Sequence, residues 1–317
     1  MFETIDVSEW EDARPEQMGT KRKIWLRKPS PTAERIKGVK WLFKYRFQYE
    51  TSKIYRDDDW SEKLAAEVAE LLGVPHASVE LASRRSERGV ISRDLVGSLG
   101  AIDLIQGNRA LSQYIAEYPA DSDEYRNSDH TLGRVLEVLG RLKVAVADGT
   151  PTDDALRTAG DVFCGYLMLD ALIGNTDRNP GNWGVLQYSA SPFADLRLCP
   201  SFDHASCLGY RETDGRRDSI LARSDGVAKY VRKAYSALYR TAEDKKSMTT
   251  HEAFETAAQI HPAAARYWVA RVRQVSYPEL TDIVAQVPPA IMSDPARQFA
   301  LAILRTNRDT LLGVEIP

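Results

Sequence analysis

Between residues 173 and 185 the chain reads IGNTDRNPGNWGV. Asn175, Asp177, Arg178, Asn179 and Asn182 are crowded there between Gly174, Pro180 and Gly181. The apolar run VFCGYLMLDALI comes immediately before, and WGVLQY, with strand character, closes the stretch. Gly174 or Asn175 can end the preceding helix in a left-handed cap, and Asx turns account for many Asp and Asn residues in loops. Those needs still leave Asp177, Asn179 and Asn182 in excess. An Asp and an Asn five positions apart on a tight loop can point two oxygens into one cleft. One oxygen can take a proton from a hydroxyl while the other binds a metal ion.

The spacing D-x-x-x-x-N serves these two purposes in phosphoryl transfer, but alone it is a weak signal and needs a second carboxylate. Asp203 supplies it, in LCPSFDHAS at the end of an apolar strand, where an acid is costly unless it meets a cation. Lys44, in KWLFKYR, alternates onto the same strand face as Leu42, and a half-buried lysine wants a phosphate or carboxylate partner. Glu62, in the first turn of the following helix, is the preferred carboxylate; Glu67 and Glu70 are weaker competitors. Gly19 in MGTKRKIWL precedes the first clear strand, and exposed N–H groups beside Lys21 and Lys23 can cradle phosphates.

Two textures of sequence must position these groups. Up to about residue 97, KIWLRK, VKWLFKYRF, PHASVELAS and RGVISRDLV read as strands. They surround one amphipathic helix, DWSEKLAAEVAELLG, which stops at Gly73. Beyond, helical spacing dominates TLGRVLEVLGRLKVAVA, AGDVFCGYLMLDALI, VAKYVRKAYSALYR, HEAFETAAQI, AAARYWVARVRQV and ARQFALAILRTNRDTLLG. A strand pair around NWGVLQY and LRLCPSFDHAS interrupts them, and polar loops are expected at 119–129 and 211–218. The reading is an α+β, bilobal arrangement: a small sheet-rich lobe over 1–97 and a larger, mostly helical lobe over 98–317.

Composition narrows the class. With 317 residues and 43% apolar content the chain can build a sizeable core. No apolar run approaches the ~20 residues of a membrane span. Cys164, Cys199 and Cys207 show no metal-like spacing and read as buried thiols of a protein in the reducing cytoplasm. A net charge of −3 argues against wholesale nucleic-acid binding, although residues 21–56 hold twelve Lys or Arg against Glu34 and Glu50. That segment is either a set of solvated strand faces or a surface that attracts a polyphosphate or a nucleic acid. Arg271, Arg273, Arg305 and Arg308 read as a solvated face of the last helices.

On these motifs the chain resembles the HipA-like serine/threonine kinases. GTKRK, Gly19 to Lys23, is similar to that family's phosphate-binding loop, WLFK to its ATP lysine, and SEKLAAEVAELLGVP to the helix whose acid pairs with it. ISRDL resembles the linker touching the nucleotide base and sugar, LIGNTDRNPGNWGVL the catalytic loop and PSFDHAS the metal segment. The resemblance implies a protein-kinase-like fold that uses ATP and Mg²⁺. Asp177 becomes the catalytic base, Lys44 with Glu62 the phosphate anchor, and Asn182 with Asp203 the Mg²⁺ ligands. Gly19, Thr20, Lys21, Lys23, Ser92, Arg93, Asp94 and Leu95 become nucleotide contacts. It further implies a protein hydroxyl as acceptor, self-phosphorylation at Thr20, Ser30 or Thr32, and an antitoxin-type protein partner. Three departures from the family are expected: Asn179 stands where its toxin typically has His, the glycine loop keeps one glycine, and no counterpart of its small N-terminal subdomain is expected. Two other readings stay open, a small-molecule or lipid phosphotransferase and a catalytically silent nucleotide-binding regulator.

Overall fold

The structure, a computed structural model, describes residues 1–15, 22–29, 39–48, 55–116, 118, 127–190 and 195–317. The N-terminal part is a six-stranded sheet built from β1 (Thr4–Asp6), β2 (Glu11–Pro15), β3 (Lys23–Arg27), β4 (Lys40–Tyr45), β5 (Val79–Arg84) and β6 (Glu87–Arg93). Their order is β1-β5-β6-β4-β3-β2; β1 runs parallel to β5 and every other pair is antiparallel. Opposed residues share a face, so the register gives the sheet two distinct sides. Lys23, Lys44, Val90 and Leu81 lie in one row, and Trp25, Leu42, Ser92 and Val79 in the next row of the same side. The opposite side presents Leu26, Phe43, Ile91 and Ala82, which form a small core of their own with Val7.

Helix α1 (Asp58–Leu72) follows β4 and packs on β5 and β6. Gly73 ends it at φ 70°, as its position in the sequence predicts. Glu62 falls in the second turn, not the first, because the helix begins two residues before Trp60.

The C-terminal part is helical. It comprises α2 (Leu95–Leu99), α3 (Gly107–Tyr114), α4 (Leu132–Arg141), α5 (Ala159–Ile173), α6 (Asp214–Leu221), α7 (Gly226–Val231), α8 (Thr250–Ile260), α9 (Pro262–Gln274), α10 (Tyr277–Ala285) and α11 (Asp294–Leu312). A second antiparallel sheet joins β7 (Asp103–Gln106), β8 (Gly184–Gln187) and β9 (Leu196–Leu198). Every residue of α5 but Asp161 is buried, and the helix packs against α8, α9 and α11. Such an all-round apolar helix is the axis of a core. Thr158 and Asp161 close a reciprocal capping box at its start. Close approach is enforced at Gly165, where a Cβ would lie 2.4 Å from the Trp268 ring.

The α+β class, with a sheet-rich N-terminal and a helical C-terminal part, is as the sequence reads. Details differ. Residues 214–218, within the polar loop expected at 211–218, instead begin α6, because Thr213 caps the helix and Arg217 is buried by ion pairing. The long helix expected over VAKYVRKAYSALYR stops at Val231, and the one expected over TLGRVLEVLGRLKVAVA stops at Arg141, before Lys143 turns to φ 50°. Two of the four arginines expected on a solvated face instead cap backbone: Arg271 Nε donates to the Leu72 carbonyl and Arg308 Nε to that of Val275. The three cysteines are buried, and burial pushes their thiols up. The polar loop expected at 119–129 falls mostly outside the described residues. No described helix is long and apolar enough to cross a membrane.

Candidate active site

The site begins where α5 ends. Gly174 adopts φ 66° and caps the helix on the Asp170 carbonyl, releasing the chain into the Asn-rich turn. Beneath that turn lies a buried ion pair. Arg178, fully buried, donates through Nε to Asp170 Oδ2 and through Nη2 to Oδ1, both at 2.8 Å. The same guanidinium reaches Asn182 O at 2.9 Å and Ser201 Oγ at 2.9 Å. Asn175 Nδ2 adds a third donor to Asp170 Oδ1 at 2.8 Å. A planar fork with several fixed donors thus holds the start of the turn, its end and the strand exit near Asp203.

On that base the turn folds back on Asp177. Its N–H donates to Asn175 Oδ1 at 3.2 Å, and its Oδ1 accepts from Asn179 Nδ2 at 2.8 Å. Asn179 also caps the short 3₁₀ turn Pro180–Asn182 by accepting from Gly181 N. Asn179 therefore orients the Asp177 carboxylate, a role the sequence left open. Asn182 Nδ2 donates to Asp177 O at 2.8 Å. Only an amide nitrogen can donate to a carbonyl, so Oδ1 is the atom of the Asn182 side chain that could serve as a ligand. Ser206 Oγ lies 3.4 Å from Asp177 Oδ2 and 3.0 Å from the Tyr210 hydroxyl.

The second carboxylate stands on a neighbouring segment. Asp203 takes φ 58°, a left-handed conformation sparsely used by residues other than glycine and tolerated better by Asp and Asn. Its Oδ1 accepts from Lys44 Nζ at 3.0 Å, and Glu62 Oε1 accepts from the same ammonium at 2.6 Å. Lys44 and Glu62 are buried, whereas Asp203 keeps about a quarter of its side chain exposed. Burial pulls the lysine pKa down, but Asp203 and Glu62 outweigh it and hold the group well above its ordinary value. Glu67 binds Lys63 instead, and Glu70 lies nearest His76. Asp203 and Asp177 are linked through backbone, since Thr176 N donates to Ser206 O at 3.1 Å and Leu208 N to Ile173 O at 3.0 Å.

The remaining sequence candidates fall as follows. Lys23 pairs with Lys44 across β3 and β4, on the same side of the sheet. Ser92 lies on that side too, opposite Leu42, while Arg93 opposes Trp41 on the other. Asp94 Oδ1 accepts from Val96 N at 3.1 Å, so its side chain starts α2 at Leu95. Gly19, Thr20, Lys21, Ser30 and Thr32 lie outside the described residues. Sequence reasoning missed Asp170, Ser201, His204 and Ser206. Asp170 carried a signal, being the only charged residue within VFCGYLMLDALI. His204 Nε2 lies 2.6 Å from Ser201 Oγ, and burial, with the nearby Arg178, pushes its pKa well below the ordinary imidazole value.

The donor set suits a hard dication. Mg²⁺ is usually held by one or two carboxylates together with substrate phosphates, and one carboxylate with one amide oxygen meets that pattern. Among the described residues no group of three or more His, Cys, Asp or Glu could hold a metal ion by itself. A cavity of about 770 Å³ lined by Tyr114, Arg141, Leu142 and Leu196 shares no residue with this site.

Comparison with known proteins bears on the fold as a whole. The chain matches no protein-family model. It is 31% identical over 84 residues to the serine/threonine-protein kinase CtkA of Helicobacter pylori, a stretch covering 26% of this chain and 25% of that protein. The match thus spans about a quarter of the curated relative's length. The crystal structure of the Helicobacter pylori proinflammatory kinase CtkA superposes with a TM-score of 0.74 over 98% of this chain and 97% of the other, at 18% identity. HipA, from the Shewanella oneidensis MR-1 toxin–antitoxin complex of HipA, HipB and operator DNA, gives a TM-score of 0.52. That match covers 97% of this chain and 69% of HipA, at 10% identity. The fold is that of these kinases, in line with the resemblance drawn from the motifs.

Proposed function

We propose that the chain is a HipA-like serine/threonine kinase, transferring the γ-phosphate of ATP to a hydroxyl of a protein. The observation that carries this is the Lys44 ammonium held between Glu62 and Asp203, which joins a sheet strand, a helix and the segment paired to the Asp177 loop. Lys44, fixed and charged, would neutralise nucleotide phosphates. Asp177, oriented by Asn179 and Asn175, would accept the proton of the attacking hydroxyl as its oxygen bonds to phosphorus and ADP departs. Asn182 and Asp203 would hold Mg²⁺, which supplies charge neutralisation for the phosphates. Positioning and electrostatics provide most of the rate in such reactions. The division near residue 97, nucleotide contacts at Ser92 to Leu95, self-phosphorylation and a toxin role belong to the same proposal. So does an antitoxin-type protein partner, for which the HipA–HipB complex is the precedent.

The test is incubation with labelled ATP and Mg²⁺, then mass spectrometry of the protein and of a cell lysate. Transfer to protein serine or threonine is expected, and Asp177→Ala or Asp203→Ala should lower it by about 10²-fold or more while the chain stays folded. Undiminished transfer in either variant would overturn the assignment, and transfer to a small molecule alone would replace the protein acceptor.

A further inference from the structure

Helix α1, which carries Glu62, starts in an unusual way. Its N-cap is Asp57, a residue type whose side chain commonly accepts from the N–H two or three positions on. Here it makes no bond to its own helix. Both carboxylate oxygens are engaged elsewhere: Oδ1 accepts from Arg46 Nη2 at 2.5 Å, and Oδ2 from Arg217 Nη2 at 2.6 Å. Arg46 extends the strand that bears Lys44. Arg217 belongs to α6; its side chain is 3% exposed, and it also binds Asp214 Oδ1 at 2.8 Å and Gly209 O at 3.2 Å. Gly209 follows Asp203 on the same segment, which touches α1 again through Asp57 N to Tyr210 O at 3.0 Å and Ser61 Oγ to Ala205 O at 2.7 Å.

We propose that Asp57 is a positioning residue for catalysis: its single carboxylate, shared by Arg46 and Arg217, fixes α1 between the Lys44 strand and the Asp203 segment so that Glu62 meets Lys44. The inference rests on the reading of Lys44 as a phosphate anchor. Two charge-assisted hydrogen bonds to one carboxylate are strong and directional. They place two cations at a helix N-terminus, where the dipole opposes positive charge. A side chain serving only its own helix would cap it instead.

Asparagine caps helices as well as aspartate, so Asp57→Asn keeps the helix start and removes the charge on which both guanidinium groups converge. Arg217 keeps Asp214 as a carboxylate partner and Arg46 is only partly buried, so neither cation is stranded and the unfolding midpoint should stay close to the parent's. Turnover of Mg-ATP, followed as labelled phosphate passed to protein or water, should fall about tenfold or more, the scale expected of a small misplacement. The loss should appear in kcat more than in KM for ATP, and Asp57→Glu should recover part of it. A second measurement is independent of turnover: acetylation of Lys44 by acetic anhydride, read by mass spectrometry, should quicken severalfold in Asp57→Asn as the Glu62 contact loosens. If the parent transfers no phosphate, the kinase reading falls, and the labelling alone judges Asp57. Unchanged Lys44 labelling, an unchanged kcat in an active parent, or a loss matched by unfolding and not rescued by Asp57→Glu would each overturn the inference.

Discussion

Replacing Asp170 by alanine isolates the physics under the Asn-rich turn. The residue accepts two hydrogen bonds from the buried Arg178 guanidinium and one from Asn175. Burial alone would lower the Arg178 pKa, but the Asp170 carboxylate more than restores it, so the group stays charged. An arginine cannot shed its proton to escape burial. Removing its partner therefore leaves a stranded cation, at a cost of about 3–5 kcal/mol. With about 2.1 cal/mol/K of unfolding entropy per residue and 317 residues, the thermal midpoint should fall by roughly 4–8 °C. The paired change Asp170→Leu with Arg178→Met should return most of that stability, since apolar replacements of a buried ion pair are often neutral or better. It should not return phosphate transfer, because Arg178 also holds Asn182 O and Ser201 Oγ. Calorimetry and labelled-ATP turnover on the three proteins decide the matter. An unshifted midpoint in Asp170→Ala would refute the stranded-cation argument, and parental turnover in the double variant would refute the positioning role of Arg178.

Two further outcomes follow from the packing. His130 is fully buried: its Nδ1 donates to Ala237 O at 2.9 Å and its Nε2 accepts from Trp183 Nε1 at 3.1 Å, beside Asn182. Burial lowers its pKa from 6.5 to about 4, so between those values the unfolded chain binds more protons. Stability from this group is complete above pH 6.5 and is lost as pH falls toward 4, by ~3 kcal/mol in all. Urea titrations from pH 7 to 4 should show a smaller loss in His130→Gln; equal slopes would exclude His130 as a source. Gly165→Ala places a methyl 2.4 Å from the Trp268 ring, and the ring is tethered by Nε1 to Asp161 O at 3.0 Å. Overpacking of this kind costs about 1–3 kcal/mol, so a denaturation midpoint equal to the parent's would show that α5 and α9 can separate freely.

Much of this arrangement was legible because it is local. Alternation exposed β3, β4, β5 and β6, and apolar spacing exposed α1, α5 and α11, because burial on one face or all round writes a period into the chain. Lys44 and Glu62 could be paired in advance because a strand lysine needs an anion and the next helix supplies one. What stayed hidden depends on partners far away in sequence. Arg217 looked like one more charge in a polar loop; its burial is set by Asp57, 160 positions earlier. Asp170 stood out as a lone acid in an apolar run, yet its meaning required knowing that the chain doubles back to bring Arg178 under it. Strand β1 pairs in parallel with a strand more than seventy residues on, and no local period announces such a pairing.

The backbone stitching of Thr176 to Ser206 and of Ile173 to Leu208 has a mechanical corollary. Asp177 and Asp203 ride on a common, helix-anchored platform, so their separation is insensitive to any hinge between the sheet and the helices. Lys44 stands on the sheet, outside that platform. Any displacement of the sheet relative to the helices would therefore change the Lys44–Asp203 contact while leaving the spacing of the two acids to the backbone bonds that join their segments.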